Sequence, residues 1–226
     1  MTEELRKHLL PEGRGFVSVT GGGGKTSFLI FFSKVLKEEG KSVLLTTTTK
    51  IEPPWRREWG VDRVFSDSSV LCHVPRPGEA VLYAIPFSEG KWSAPGEEDL
   101  AKLSGMYDVV IAEADGSRHR PLKVHTKRDP VIHPLTTATV AVLGLWGIGK
   151  EIKTAVFGDE REGTVDDEYL DWYIKAPEGL LKGLRGNKLV LLNGAESYPA
   201  PKLELPSDVA LCAASLREGR IMSYVF

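Results

Sequence analysis

Four consecutive glycines, Gly21 to Gly24, closed by Lys25 and Thr26, constrain this chain more than any other stretch. A short apolar run, Phe16 to Thr20, leads into them. From about Lys25 to Glu39, Phe28, Phe31, Phe32, Val35 and Leu36 recur at helical spacing, and Gly40 supplies a stop. The order is therefore strand, glycine loop, helix. Glycine reaches backbone conformations that other residues avoid, so N–H groups of such a loop can turn inward on phosphate oxygens, and the positive end of the helix dipole adds to the attraction. In that arrangement Lys25 reaches the outer phosphates, the Thr26 hydroxyl ligates Mg²⁺, and Ser27 follows in the first helical turn. The spacing is G-x-x-G-K-T, shorter than the full G-x-x-x-x-G-K-[ST] pattern, which would place a glycine where Val19 stands. The competing reading is a flexible turn with a solvent-facing lysine; the strand before it and the helix after it favour phosphate.

The surrounding pattern predicts a P-loop NTPase-like α/β domain, with a mostly parallel sheet and helices on both faces. Ser42 to Thr46 is apolar enough for a strand inside such a sheet, and the strand–helix–strand unit calls for a right-handed crossover. Further strands are expected at Ala80–Ile85, Ala138–Leu145, Lys188–Leu192, Val209–Ala213 and Ile221–Val225. Residues 2–10 read as a short helix with Leu5, Leu9 and Leu10 on one side. Thr164 reads as the cap of a helix marked by Tyr169, Leu170, Trp172, Tyr173 and Ile174, stopped by Pro177, with another short helix from Gly179 to Lys182. Residues 52–98 carry six prolines and Trp55, Trp59 and Trp92. They read as an irregular or antiparallel insert or sheet edge within one domain spanning 1–226.

A second chemical stretch is Tyr107 to Gly116. Its apolar run ends in Glu113-Ala114-Asp115-Gly116, the form of a Walker B strand whose acid orders Mg²⁺ or a water near the γ-phosphate. Mg²⁺ keeps most of its waters and takes one or two carboxylates, so Glu113, with Asp115 as rival, suffices. Arg120 and Lys123 follow closely and could pair with phosphates or an anionic substrate; a solvated basic loop is the plainer reading. The run Thr46 to Thr49, then Lys50, ends a strand beside the glycine loop. Its hydroxyls, Thr48 among them, could meet Mg²⁺, phosphate or water, or simply finish the strand. Asn193 ends another strand, as the asparagine of the guanine-reading N-K-x-D does, although Gly194 and Glu196 stand where that motif has Lys and Asp. His119, His125 and His133 show no metal-ligand spacing with cysteines.

With 226 residues and a formal net charge of −2, nothing in the chain as a whole invites nucleic acid or an anionic membrane. Cys72 and Cys212 form neither a metal pattern nor a disulfide framework. The N-terminus lacks the form of a signal peptide and no apolar run approaches transmembrane length, so the expected location is cytoplasmic.

Three stretches together, Val17 to Ser27, Leu45 to Ile51, and Glu113 to Gly116 with Arg120-Pro121-Leu122-Lys123, resemble the YqeC family. Pro177 to Gly183 and Leu191-Leu192-Asn193 fit it too. That family is named for selenium-cofactor biosynthesis and described as accessory to selenium-dependent molybdenum hydroxylases. Glu113-x-x-Gly116 is also similar to the E-x-x-G of GTPases that deliver nickel to hydrogenase and urease. The glycine loop, the threonine run and Glu113 to Gly116 together read as a Mg²⁺-dependent NTPase using ATP or GTP; the resemblance implies a molybdenum hydroxylase or its maturation proteins as partners, with a homodimer left open. A phosphoryl- or nucleotidyl-transferase acting on a small molecule, or a non-hydrolytic nucleotide-binding adaptor, are the alternatives.

Overall fold

A computed structural model describes residues 1–225. In chain order the elements are α1 (Thr2–Leu9), β1 (Gly15–Gly21), α2 (Lys25–Glu38), β2 (Val43–Thr47), β3 (Lys50–Ile51), β4 (Arg63–Phe65), β5 (Ala80–Tyr83), β6 (Ile85–Ser88) and β7 (Lys91–Ser93). They continue with α3 (Glu97–Met106), β8 (Val109–Glu113), β9 (Leu122–Lys123), β10 (Ala138–Gly144), α4 (Ile152–Ala155), β11 (Val156–Phe157) and α5 (Asp167–Lys175). Strands β12 (Asn187–Asn193), β13 (Val209–Ser215) and β14 (Arg220–Val225) close the chain.

Nine strands form one sheet in the order β14-β13-β12-β10-β1-β8-β2-β5-β4. Every pairing in it is parallel except β13 with β14. Alternate residues feed opposite faces, as the pleat requires. Val17, Val19, Val140, Val142, Leu189 and Leu191 join Phe28, Phe32 and Leu36 of α2 and Leu5 and Leu9 of α1 on one side. Ala141, Leu143, Val190 and Leu192 pack with Tyr169, Leu170 and Tyr173 of α5 on the other, and Phe16 and Val110 pack with Leu103 of α3. Helices therefore cover both faces, as a sheet of near-continuous apolar strands demands.

The proline-rich region differs in part from its sequence reading. Strands β5 and β4 extend the parallel sheet beyond β2, while β3, β7 and β6 form a separate three-stranded antiparallel flap. The single strand expected over 80–85 breaks after Tyr83, where the chain leaves the sheet for the flap. The cap of α5 is Asp166, whose carboxylate accepts from Tyr169 N at 2.9 Å; Thr164 instead bridges to Glu151. Both residue types cap helices, and the tertiary bridge decides between them. Residues 179–182 form turns, not a helix.

Parallel register brings the carboxyl ends of the central strands to one edge. Val19 pairs with Glu113, Thr47 with Glu113, Gly21 with Val142, and Gly144 with Asn193. Residues read from four separate motifs thus meet over a few strand widths.

Candidate functional site

Along that edge lies a cleft of about 260 Å³. One side is the start of α2, from Gly23 to Ser27, with Trp146 and Asn193 beside it. Glu113 and Gly116 to His119 come from the end of β8 and the loop after it. The opposite wall is the flap with its following loop, contributing Lys50, Ile51, Glu52, Arg57 and Lys91.

The glycines are required by crowding. Gly23 has φ +71°, and a Cβ there would lie 2.4 Å from Gly144 Cα; Gly24 has φ +128°, and a Cβ would meet Asn193 Nδ2 at 2.4 Å. No L side chain fits either place. Three loop N–H groups are already engaged: Gly21 N donates to Asp115 Oδ2 (2.9 Å), Gly22 N to Val142 O (2.9 Å) and Gly23 N to Arg120 O (3.0 Å). The cradle is accordingly shorter than four glycines suggest. It begins at the first turn of α2, where Lys25, Thr26 and Ser27 have no intrahelical acceptor for their N–H groups and the helix dipole is positive. Asn193 latches this loop to the far strands: its Nδ2 donates to Gly23 O (2.8 Å) and its Oδ1 accepts from Leu216 N (3.2 Å).

Lys25 is buried at the floor of the cleft. Its ammonium donates to Gly21 O (2.7 Å) and Ser117 Oγ (3.3 Å) and lies 3.1 Å from Asp115 Oδ1 and 3.8 Å from Glu113 Oε1. Burial works to lower its pKa, but Asp115 and Glu113 outweigh burial and hold it above the ordinary lysine value. Thr26 Oγ1 donates to Glu113 Oε2 at 2.8 Å. Glu113 shows the opposite balance: burial raises its pKa and Lys25 and the Thr26 hydroxyl only partly oppose it.

Asp115 does not share the role of Glu113. It is fully buried behind the cleft, holding Gly21 N, Lys25 and, at 2.8 Å, His125 Nε2. Burial pushes its pKa up, yet Lys25, His125 and Lys123 together bring it down to about 2. His125, whose Nδ1 meets Gly179 O at 3.0 Å, belongs to this buried network.

The other expected site residues fall away from the cleft. Lys123 is buried with its ammonium on Gly116 O (2.7 Å) and on Asp129. The Arg120 guanidinium donates to Val156 O at 2.6 Å. Neither lies where an anion in the cleft would meet it. The threonine hydroxyls satisfy backbone carbonyls: Thr46 bonds Tyr83 O, Thr47 bonds Glu113 O and Thr48 bonds Val131 O. In this geometry Thr48 is a strut between β2 and the loop before β10, not a ligand donor.

Among the cleft residues that the motifs did not single out are Arg57, Lys91, Arg118, His119 and Trp146. Arg118 and His119 carried a signal only in aggregate, as part of a basic run in which Arg120 and Lys123 attracted attention. Lys91 and Arg57 sit far along the chain from either motif, and only the flap brings them across.

A family model described as YqeC protein matches residues 17–160. The chain belongs to the YqeC family. The matched span contains the glycine loop, Glu113 and the whole flap; Asn193 lies beyond it. The family's member in Escherichia coli (strain K12), an uncharacterized protein YqeC, is 32% identical over 149 residues, which cover 61% of this chain and 55% of that protein. The match thus spans little more than half of the relative's length. Among the described residues, no helix is long and apolar enough to cross a membrane.

Proposed function

We propose that this protein binds a Mg²⁺–nucleoside triphosphate, ATP or GTP, and hydrolyses it as an accessory factor in maturing a selenium-dependent molybdenum hydroxylase or a related metal or selenium cofactor. The observation that carries the nucleotide reading is the Thr26–Glu113 hydrogen bond, at the start of a helix that follows a glycine loop, with the Lys25 ammonium beneath it. A hydroxyl and a carboxylate this close form a hard oxygen pair suited to Mg²⁺, which takes few protein ligands and completes its shell with water and phosphate oxygens. Asp115 does not fit that set, because its carboxylate is turned to Lys25, His125 and Gly21 N. Bound there, Mg²⁺ would neutralise phosphate charge.

Each residue then has a defined task. The N–H groups at the start of α2 hold phosphate oxygens. Lys25, kept ionised by Asp115, offers a fixed positive charge at the cleft floor. Water attacks the terminal phosphorus; the bond from phosphorus to the β–γ bridging oxygen breaks, and the diphosphate leaves with that electron pair. The water's protons pass to phosphate and solvent. Catalysis of this kind rests on positioning and charge stabilisation. The maturation role is supported by family resemblance, and hydrolysis could drive it only by favouring one of two conformations through differential affinity.

The test is thermal stabilisation of wild type, Lys25→Ala and Thr26→Ala by ATP, GTP and CTP, with and without Mg²⁺. A ligand at a hundred times its dissociation constant adds about 2.7 kcal/mol. One nucleotide is expected to stabilise the wild type in a Mg²⁺-dependent way. Lys25→Ala should lose the effect, and Thr26→Ala should lose the Mg²⁺ dependence while remaining folded. No shift in wild type with any nucleotide would return the loop to a structural turn.

A further inference from the structure

The cleft has two unlike halves. The half at α2 offers N–H groups, a hydroxyl and one lysine that is already paired. The flap half offers cations: Lys50, Arg57, Lys91 and, from the loop after β8, Arg118. Their engagement differs. Arg57 donates twice to Glu52 Oε2, at 3.2 and 2.9 Å, so its fork is occupied. Lys50 sits over the Phe87 ring at 3.7 Å. Lys91 and Arg118 have no carboxylate within ion-pair distance among the described residues; Arg118 lies at 5.2 Å from the Phe157 ring, and both are exposed. Lys91 and Glu113 line the same cleft, so a flap cation shares it with the Thr26–Glu113 pair.

Two further features point the same way. Gly22 and Gly23 give their N–H groups to Val142 O and Arg120 O, so the glycine loop leaves fewer donors for a terminal phosphate than its composition promises. Arg118 and His119 are consecutive non-glycine residues in the left-handed region, at φ 49° and 63°. Backbone held there is costly and is concentrated where a site needs particular side chains aimed at it. His119 meets Glu52 at 3.2 Å across the cleft, tying this strained turn to the flap wall.

We propose that Lys91 and Arg118 are the cations that grip the terminal phosphate of the bound nucleotide, and that they make the site selective for triphosphate over diphosphate. The proposal rests on the nucleotide reading above. It moves the role first suggested for Arg120 and Lys123 to two residues with no such hydrogen bonds to the protein. Arg118 supplies a planar donor fork and Lys91 a mobile point charge, the two chemistries that phosphate oxygens take up best.

The experiment measures affinity for ATP against ADP, and for GTP against GDP, with Mg²⁺, by calorimetry on wild type, Lys91→Ala, Arg118→Ala, the double variant and Lys91→Arg. Both side chains are exposed, so the variants should keep the wild-type melting temperature in the absence of ligand. Each alanine variant is expected to lose roughly tenfold or more of triphosphate affinity with diphosphate affinity little changed. Lys91→Arg should recover most of the preference. Equal losses for triphosphate and diphosphate, or an unchanged preference in the double variant, would overturn the assignment and leave nucleotide binding standing. Absence of nucleotide binding in the wild type would remove both.

Discussion

At the scale of single residues, the two carboxylates of Glu113-Ala114-Asp115 diverge because β8 ends at Glu113 and the chain leaves strand geometry before Asp115; continued alternation would have put both on one face. Glu113 borders the cleft; Asp115 enters a dry network of Lys25, Lys123, His125 and Gly21 N. The sequence put Glu113 first but kept Asp115 as its rival, since both end the same apolar run. Their pKa values also move in opposite directions, with consequences for stability. Asp115 is held at about 2, below its ordinary 3.8, so it stabilises the fold fully above pH 4 and loses that contribution as pH falls toward 2. The contribution is about 2 kcal/mol by linkage. Urea unfolding across this range should show Asp115→Asn lowering stability at pH 7 and flattening the acid limb; a limb as steep as wild type would place the acid sensitivity elsewhere. Glu113, with its pKa raised, costs stability as pH rises past its ordinary range, so Glu113→Gln should unfold at slightly higher urea concentration at pH 7 while losing the Mg²⁺ dependence of nucleotide binding. Lys25→Ala is the severe change, because it leaves Asp115 without its nearest cation. Breaking a buried pair in this way costs about 3–5 kcal/mol, measurable by denaturation without any ligand.

At the scale of elements, the long apolar segments were readable and the short polar ones were not. The strand before the glycine loop, the helix after it and the strand carrying Glu113 all stand where their periodicity puts them, displaced by a residue or two at the ends. Buried parallel strands and an amphipathic helix advertise themselves through composition. The prolines and tryptophans of 52–98 announced an antiparallel insert, as β3, β7 and β6 prove to be, but not its strands: β3 and β7 have only two and three residues. Asn193 was visible as the end of a strand, but its role is that of a clasp between the glycine loop and the turn at Leu216. Asn193→Asp keeps the acceptor for Leu216 N and loses the donor to Gly23 O, whereas Asn193→Ala loses both. The alanine variant should be less stable by about 1–3 kcal/mol, since it orphans a buried N–H and a carbonyl. The aspartate variant should chiefly weaken nucleotide affinity by loosening the loop. Equal stability for alanine and wild type in urea would show that the latch is dispensable.

At the scale of the whole molecule, the parallel sheet acts as a rigid bench and the flap as its one lightly built wall. The central strands β10, β1 and β8 have neighbours on both edges and helices on both faces, while the flap consists of three short strands outside the main sheet. Local opening tracks such differences in buried apolar contact. Amide hydrogen exchange should therefore be slow along Val17–Thr20 and Val109–Ala112 and much faster along Lys91–Ser93. If a nucleotide bridges α2 and the flap, adding it with Mg²⁺ should slow exchange at residues 24–27 and at residues 91–93 together. The slow core strands, already exchanging near the global limit, should gain only what ligand binding adds to overall stability. Slowing confined to residues 24–27 would mean that the ligand sits on the helix end alone, and the flap would then be a surface for something other than phosphate. Coincident slowing in wild type that is lost from the flap, but kept at α2, in the Lys91→Ala, Arg118→Ala double variant would show that these two charges, more than the fold itself, close the cleft.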